Sequence, residues 1–317
     1  MNIFFKIILV SITIFLFSCK GQSEAKKEVV AVGEEQEVDS LPKYPFPYDL
    51  DNPSQTIQLP VALKEISGIT FDKTEQSFYA IEDENGIIYQ MDLSGKILNQ
   101  FPFWKKGDYE DLVFVHDTIY VVKSTGTIYK VIGIGTDEQH FEKYNTRLSK
   151  KNDIEGLAYD SKKNCLLLAC KGEPQLDENK EEPRIKAIYK FNLKNNELVV
   201  SSPVVISLDV IQFFLQEHPQ IDHWTKFDES FGTGNDKLRI SPSALAFHPI
   251  SGNLYILSSK KKVLLILDQE NNILHIAKLN KKYNIQPEGI AFSKNGDMYI
   301  SNEGQELNGR IYKYSYR

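Results

Sequence analysis

The chain has 317 residues, 41% of them hydrophobic, and a formal net charge of −6. That length supports one sizeable domain or two smaller ones with substantial cores. The mild acidity argues against nucleic acid as a partner, because binding phosphates needs a basic face.

The N-terminus reads as a targeting segment rather than part of the fold. Lys6 precedes an uncharged apolar run, Ile7–Phe17, which is short for a bilayer span. Its end, Leu16-Phe17-Ser18-Cys19, resembles a bacterial lipobox, although Phe17 stands where a smaller residue is usual. The resemblance implies a signal peptide over residues 1–18, cleavage before Cys19 and lipid on that cysteine. An ordinary signal peptide with an incidental cysteine is the alternative. Lys20, rather than an aspartate, follows Cys19. In a two-membrane cell this points to a cell-envelope protein, lipid-anchored in the outer membrane and facing the periplasm. Residues 19–50 then read as a tether. Lys, Glu, Ser and Gly dominate Gly21–Ser40, and a Pro-rich piece, Pro42–Pro53, follows. Such a composition buries too little apolar area to fold alone.

From residue 51 to 317 the chain repeats itself. Five phrases recur: Ser67-Gly-Ile-Thr-Phe71, Glu110-Asp-Leu-Val-Phe114, Glu155-Gly-Leu-Ala-Tyr159, Ser243-Ala-Leu-Ala-Phe247 and Glu288-Gly-Ile-Ala-Phe292. Their first residues lie 43, 45, 88 and 45 positions apart, the third gap being a double one. A turn and a second strand follow each: Phe78–Glu82, Ile119–Lys123, Leu166–Lys171, Leu254–Ser258 and Met298–Asn302. Third strands come next, and in the first four units a fourth, with Gly and Asn in the turns. Four antiparallel strands every ~44 residues predict an all-β fold, a β-propeller of four-stranded blades. The last unit ends after its third strand, so Gln55–Leu63 is expected to supply the missing outer strand and close the ring. Within the double gap, Asp209–Trp224 carries a helical pattern and Phe227–Lys237 reads as a Gly- and Asp-rich loop. Five blades with an insertion over about 209–239 is the preferred count, and six blades the alternative.

Cys165 and Cys170 are the only cysteines beyond Cys19. Their odd spacing on one strand puts them on opposite faces, as small buried hydrophobes rather than a disulfide. In a propeller the innermost strand of each blade lines a central channel. The repeated first position therefore predicts a ring at one mouth: Ser67, Glu110, Glu155, Ser243 and Glu288. The ends of the second strands predict another: Glu82, Lys123, Lys171, Ser258 and Asn302. Carboxylates crowded around a channel repel, so something must compensate. One solution is a hard cation such as Ca²⁺ held by Glu110, Glu155 and Glu288 with Asn302. The other is internal pairing, Lys123 with Glu110 and Lys171 with Glu155. Two loops, Gly172–Pro183 and Asn302–Asn308, are candidate lids or plain solvated loops. There is no nucleophile elbow, His-Glu-x-x-His, phosphate-binding Gly loop or Cys-x-x-Cys, and the six histidines show no ligand spacing. His248 is expected in a turn on the opposite face.

These phrases carry a resemblance. Lys64–Phe71, Asp153–Asp160, Pro242–Pro249 with Gly252–Tyr255, and Gln286–Phe292 with Tyr299–Glu303 together resemble the SdiA-regulated (YjiK-like) family of exported propellers, related to NHL-repeat and gluconolactonase-like propellers. The resemblance implies the fold and the export but no activity. In lactonase-type propellers a Glu that opens an inner strand before Gly binds a central divalent metal, and Glu155 and Glu288 match that position. The expected function is ligand or partner binding at the mouth, the ligand-binding candidates being Ser67, Glu82, Lys123, Lys171, Ser243 and Asn302. A metal-dependent hydrolase of lactones or phosphoesters and a protein–protein platform are the alternatives.

Overall fold

The computed structural model describes residues 44–177 and 180–317. The expected signal peptide, Cys19 and most of the expected tether lie outside the described residues.

A four-residue strand, β1 (Gln55–Gln58), leads into a short 3-10 turn, Val61–Leu63. The first full unit is β2 (Ile66–Phe71), β3 (Ser77–Glu82), β4 (Ile87–Asp92) and β5 (Ile97–Pro102). The second is β6 (Tyr109–Val115), β7 (Thr118–Lys123), β8 (Ile128–Ile132) and β9 (His140–Tyr144). The third is β10 (Ile154–Asp160), β11 (Cys165–Cys170), β12 (Ile185–Asn192) and β13 (Glu197–Ser207). Two helices intervene, α1 (Leu208–Glu217) and α2 (Trp224–Phe231). The fourth unit is β14 (Pro242–Phe247), β15 (Leu254–Ser258), β16 (Val263–Leu267) and β17 (Ile273–Lys278). The last is β18 (Pro287–Phe292), β19 (Met298–Asn302) and β20 (Arg310–Tyr314).

Each unit is an antiparallel sheet, and the inner strands β2, β6, β10, β14 and β18 touch in cyclic order, β18 returning to β2. The fold is a five-bladed propeller. Closure occurs as expected: β1 is the outer strand of the last blade, Ile57 opposite Ile311 in β20. Pro60, which has no N–H to give a ladder, follows that strand.

Small residues on the inner strands let blades approach. At Gly289 a Cβ would lie 3.0 Å from the Ser67 carbonyl oxygen of the neighbouring blade, closer than Cβ atoms ordinarily come to backbone. Asp111 occupies the equivalent place in the second blade. Its fully buried carboxyl accepts the N–H of Leu112 and, across the blade boundary, that of Leu157, both at 2.8 Å. Burial pushes this carboxyl well up, against the pull of those two N–H groups.

The insertion differs from its expected form. Beyond α1, whose Ser207 cap accepts the Asp209 N–H, the stretch expected as loop begins inside a second helix. Phe227 and Phe231, four apart, share one face and bury against Ile211, Phe214 and Leu215 of α1 and Val204 and Ile206 of β13. Tertiary burial stabilises a helix too short and too polar to announce itself locally. Residues 44–50, in the stretch expected as tether, lie against the last two blades. Tyr48 and Leu50 are buried, the Tyr48 hydroxyl donates to the Gly296 carbonyl at 2.6 Å, and Phe46 stacks on His275. Cys165 and Cys170 are free, buried and in separate core clusters.

Candidate functional site at the channel mouth

Every inner strand opens with a β-bulge. The pairing register slips between Ile66 and Gly68, Tyr109 and Asp111, Ile154 and Gly156, Pro242 and Ala244, and Pro287 and Gly289. The residues passed over are Ser67, Glu110, Glu155, Ser243 and Glu288. A bulged residue has no partner opposite it, and the local kink re-aims its side chain. This is how a polar residue can open an otherwise apolar strand five times over. All five line one cavity of about 200 Å³, together with Lys171, Asp83, Asp108, Gln286 and Glu303.

The second expected ring reaches the cavity as read only at Lys171; in the first and last blades it is displaced by one residue, and in the second and fourth blades no residue of it lines the cavity. β3, β7, β15 and β19 end at Glu82, Lys123, Ser258 and Asn302, but β11 ends at Cys170, so Lys171 lies one position further on. The cavity is lined at that further position, by Asp83, Lys171 and Glu303. Because side chains alternate along a strand, a one-residue offset turns the group away. Glu82 instead accepts the N–H groups of Glu84 and Asn85. The Lys123 ammonium lies 5.6 Å from the centroid of the Tyr109 ring, so the pairing expected with Glu110 is replaced by a cation–π contact. The Asn302 amide donates to Asn284 at 3.4 Å, and the Ser258 hydroxyl donates to the Lys260 carbonyl. The sequence held a signal for the offset: the third of these strand phrases is six residues long where the others are five. Asp108 and Gln286 were missed because each precedes its strand. Glu303 falls in a loop read as a candidate lid. His248 lies after β14, in the turn before β15, at the far end from the cavity, buried among Tyr48, Tyr255, Phe292 and Tyr316.

Six carboxylates and one ammonium line the cavity. Lys171 Nζ meets Glu155 Oε1 at 2.6 Å, the pairing read from the sequence. Burial pulls the Lys171 ammonium down, yet Glu155 outweighs it and holds the lysine charged. Burial raises Glu155 even so. Burial, and then repulsion from Glu155, raise Glu110 and push Glu288 up to about 8. Glu303 reaches about 7 through burial and then Asp83, and Asp83 about 6 through burial and then Glu65. Ser243 is turned to structure, donating to the Pro287 carbonyl of the next blade at 2.8 Å. Asp83 Oδ1 is buried and, among the described residues, has no hydrogen-bond partner. Burial thus favours the neutral, protonated forms of Asp83, Glu110, Glu155, Glu288 and Glu303. Among the described residues, no three His, Cys, Asp or Glu side chains form a group that could hold a metal ion.

Comparison with known proteins follows the architecture. Among solved structures, the glutaminyl cyclase of Myxococcus xanthus is similar with a TM-score of 0.53 at 12% identity, covering 83% of this chain and 95% of that one. A gluconolactonase from Xanthomonas campestris gives 0.45 at 11% identity, covering 79% and 72%. At these identities the likeness is one of fold alone. The family model described as SdiA-regulated matches residues 48–209 and 228–307, interrupted within the helical insertion. That match spans most of the chain, and the protein belongs to the SdiA-regulated family.

Proposed function

We propose that this protein is an envelope-anchored propeller that binds a positively charged ligand at its carboxylate-rich mouth. The observation that carries the reading is the cup itself: six carboxylates, most of them raised by burial, share a cavity of about 200 Å³ with a single lysine. A ligand ammonium brings both the missing charge and N–H donors for acceptors such as Asp83 Oδ1. The anchor rests on Leu16–Cys19, outside the described residues. Among those described, no helix is long and apolar enough to cross a membrane.

Ca²⁺ is the second reading, favoured by the hard oxygen donors of Glu110, Glu155 and Glu288. The carboxylates do not form a ready metal cage, and Glu155 is engaged by Lys171. A metal therefore has to compete with that ammonium.

Calorimetry on the full chain tests both, with 1,4-diaminobutane and with CaCl₂ as titrants. Binding of either that is lost in Glu155→Gln and Glu288→Gln supports the cup as the site. No heat from either titrant, with no change in melting temperature, overturns the proposal.

A further inference from the structure

A larger cavity, about 540 Å³, lies between α2 and the fourth blade. Lys226 of α2, Lys261 of the β15–β16 turn, Lys278 at the end of β17 and Lys281 just beyond it line its wall. Asp51 and Glu229 are the carboxylates there. Asp51 already accepts a hydrogen bond from the Asn280 amide at 2.8 Å. Lys278 donates to the Lys261 carbonyl, and the adjacent Lys262 to the Ser259 carbonyl. The bond from Lys278 orients its ammonium in the cavity wall without neutralising it. Burial, and then repulsion from Lys281, Lys261, Lys226 and Lys262, pull Lys278 down to about 8.

The turn itself adds a second observation. Lys261 and Lys262 have φ of 62° and 52°, in the left-handed region where Gly or Asn is the ordinary occupant. Two consecutive lysines there are a local conflict of the kind that gathers at ligand sites. The third observation concerns origin. Lys226 lies in the stretch that the family model passes over, so this wall of the cavity belongs to the insertion.

We propose that this cavity is an anion site that takes the phosphate group of an organic phosphate. Lysines bind phosphate as mobile point charges. The volume leaves room for an organic portion beside the phosphate. The phosphate has two possible sources, a lipid headgroup or a soluble phosphomonoester.

The test uses the full chain and glycerol 3-phosphate, titrated calorimetrically at low and moderate salt. Binding is expected in the wild type, at least tenfold weaker in Lys278→Gln/Lys281→Gln, and unchanged in Lys162→Gln/Lys163→Gln. It is also expected unchanged in Glu155→Gln/Glu288→Gln, so failure of the acidic-cup reading leaves this one standing. The double variant should melt no lower than wild type, because mutual repulsion is relieved. Glycerol 3-phosphate should raise the melting temperature of the wild type and of both control variants more than that of Lys278→Gln/Lys281→Gln. If the double variant folds poorly, Lys281→Gln alone, at an exposed position, should still weaken binding severalfold. Displacement of glycerol 3-phosphate by phosphatidylglycerol vesicles, but not phosphatidylcholine vesicles, assigns the site to lipid. Failure of both to displace it assigns a soluble phosphate. Equal affinity in wild type and double variant, or no binding of glycerol 3-phosphate, overturns the proposal.

Discussion

Replacing Glu288 with Gln removes a charge from the cup while keeping the shape of the side chain. Glu288 is 8% exposed, and burial followed by repulsion from Glu155 pushes its carboxyl from 4.5 to about 8. A carboxyl raised by folding stabilises the native state fully below its unfolded value, and that stability is lost as pH rises through the folded value. Each unit is worth about 1.4 kcal/mol, so the ceiling on this loss between pH 4.5 and 8 is about 5 kcal/mol. Relaxation of the cup and entry of water reduce it to on the order of 2 kcal/mol. Gln stays neutral and escapes the loss. Glu288→Gln should therefore match the wild type at pH 5 and exceed it by roughly 5 °C in melting temperature at pH 8. The assay is thermal unfolding at pH steps from 5 to 9, in chelated low-salt buffer. Parallel curves for variant and wild type across that range, or a variant less stable at every pH, would refute the reasoning.

Lys171→Gln removes the cup's single ammonium. Because that side chain is 34% exposed, the expected cost is about 1–2 kcal/mol in urea unfolding, larger at pH 9 than at pH 6; equal costs at both would contradict the counter-ion role. Asp111→Ala strands the Leu112 and Leu157 N–H groups at a blade boundary and should cost about 2–3 kcal/mol, with Asp111→Asn recovering part of it. Ile57→Asp, at a buried position of the closing strand, should expose the edge of β20 and shift size-exclusion profiles toward aggregate. A profile identical to wild type would show that closure is dispensable. Cys19→Ser should abolish lipid attachment, read as the mass of the mature protein and its release from membranes. An unchanged membrane fraction and mass would reject the lipobox reading.

The ring at the mouth shows how far pattern reading reaches. Its five members were visible because each opens a recurring apolar phrase. Why they face the channel was not. Ile66 and Ile69, or Ile154 and Leu157, are buried positions three apart in one strand, which breaks the two-residue alternation and marks a bulge. The same slip of one residue separates Glu82 and Asn302 from Asp83 and Glu303. A strand's register is set by what it pairs with, and that partner lies in another segment of the chain.

Spacing carried the propeller, a preference for five blades over six and the closure of the ring by a segment within Gln55–Leu63, because four-strand units of ~44 residues bury their faces only by stacking on one another. The structure fixed the count at five and the closing strand at Gln55–Gln58. Tertiary structure decided the rest. It drew Tyr48 and Leu50 onto the blades, folded α2 around Phe227 and Phe231, and gathered six carboxylates around one lysine. Each of these depends on contacts between residues far apart in sequence, where the free energy of burial and of charge resides in the assembled neighbourhood rather than in the local phrase.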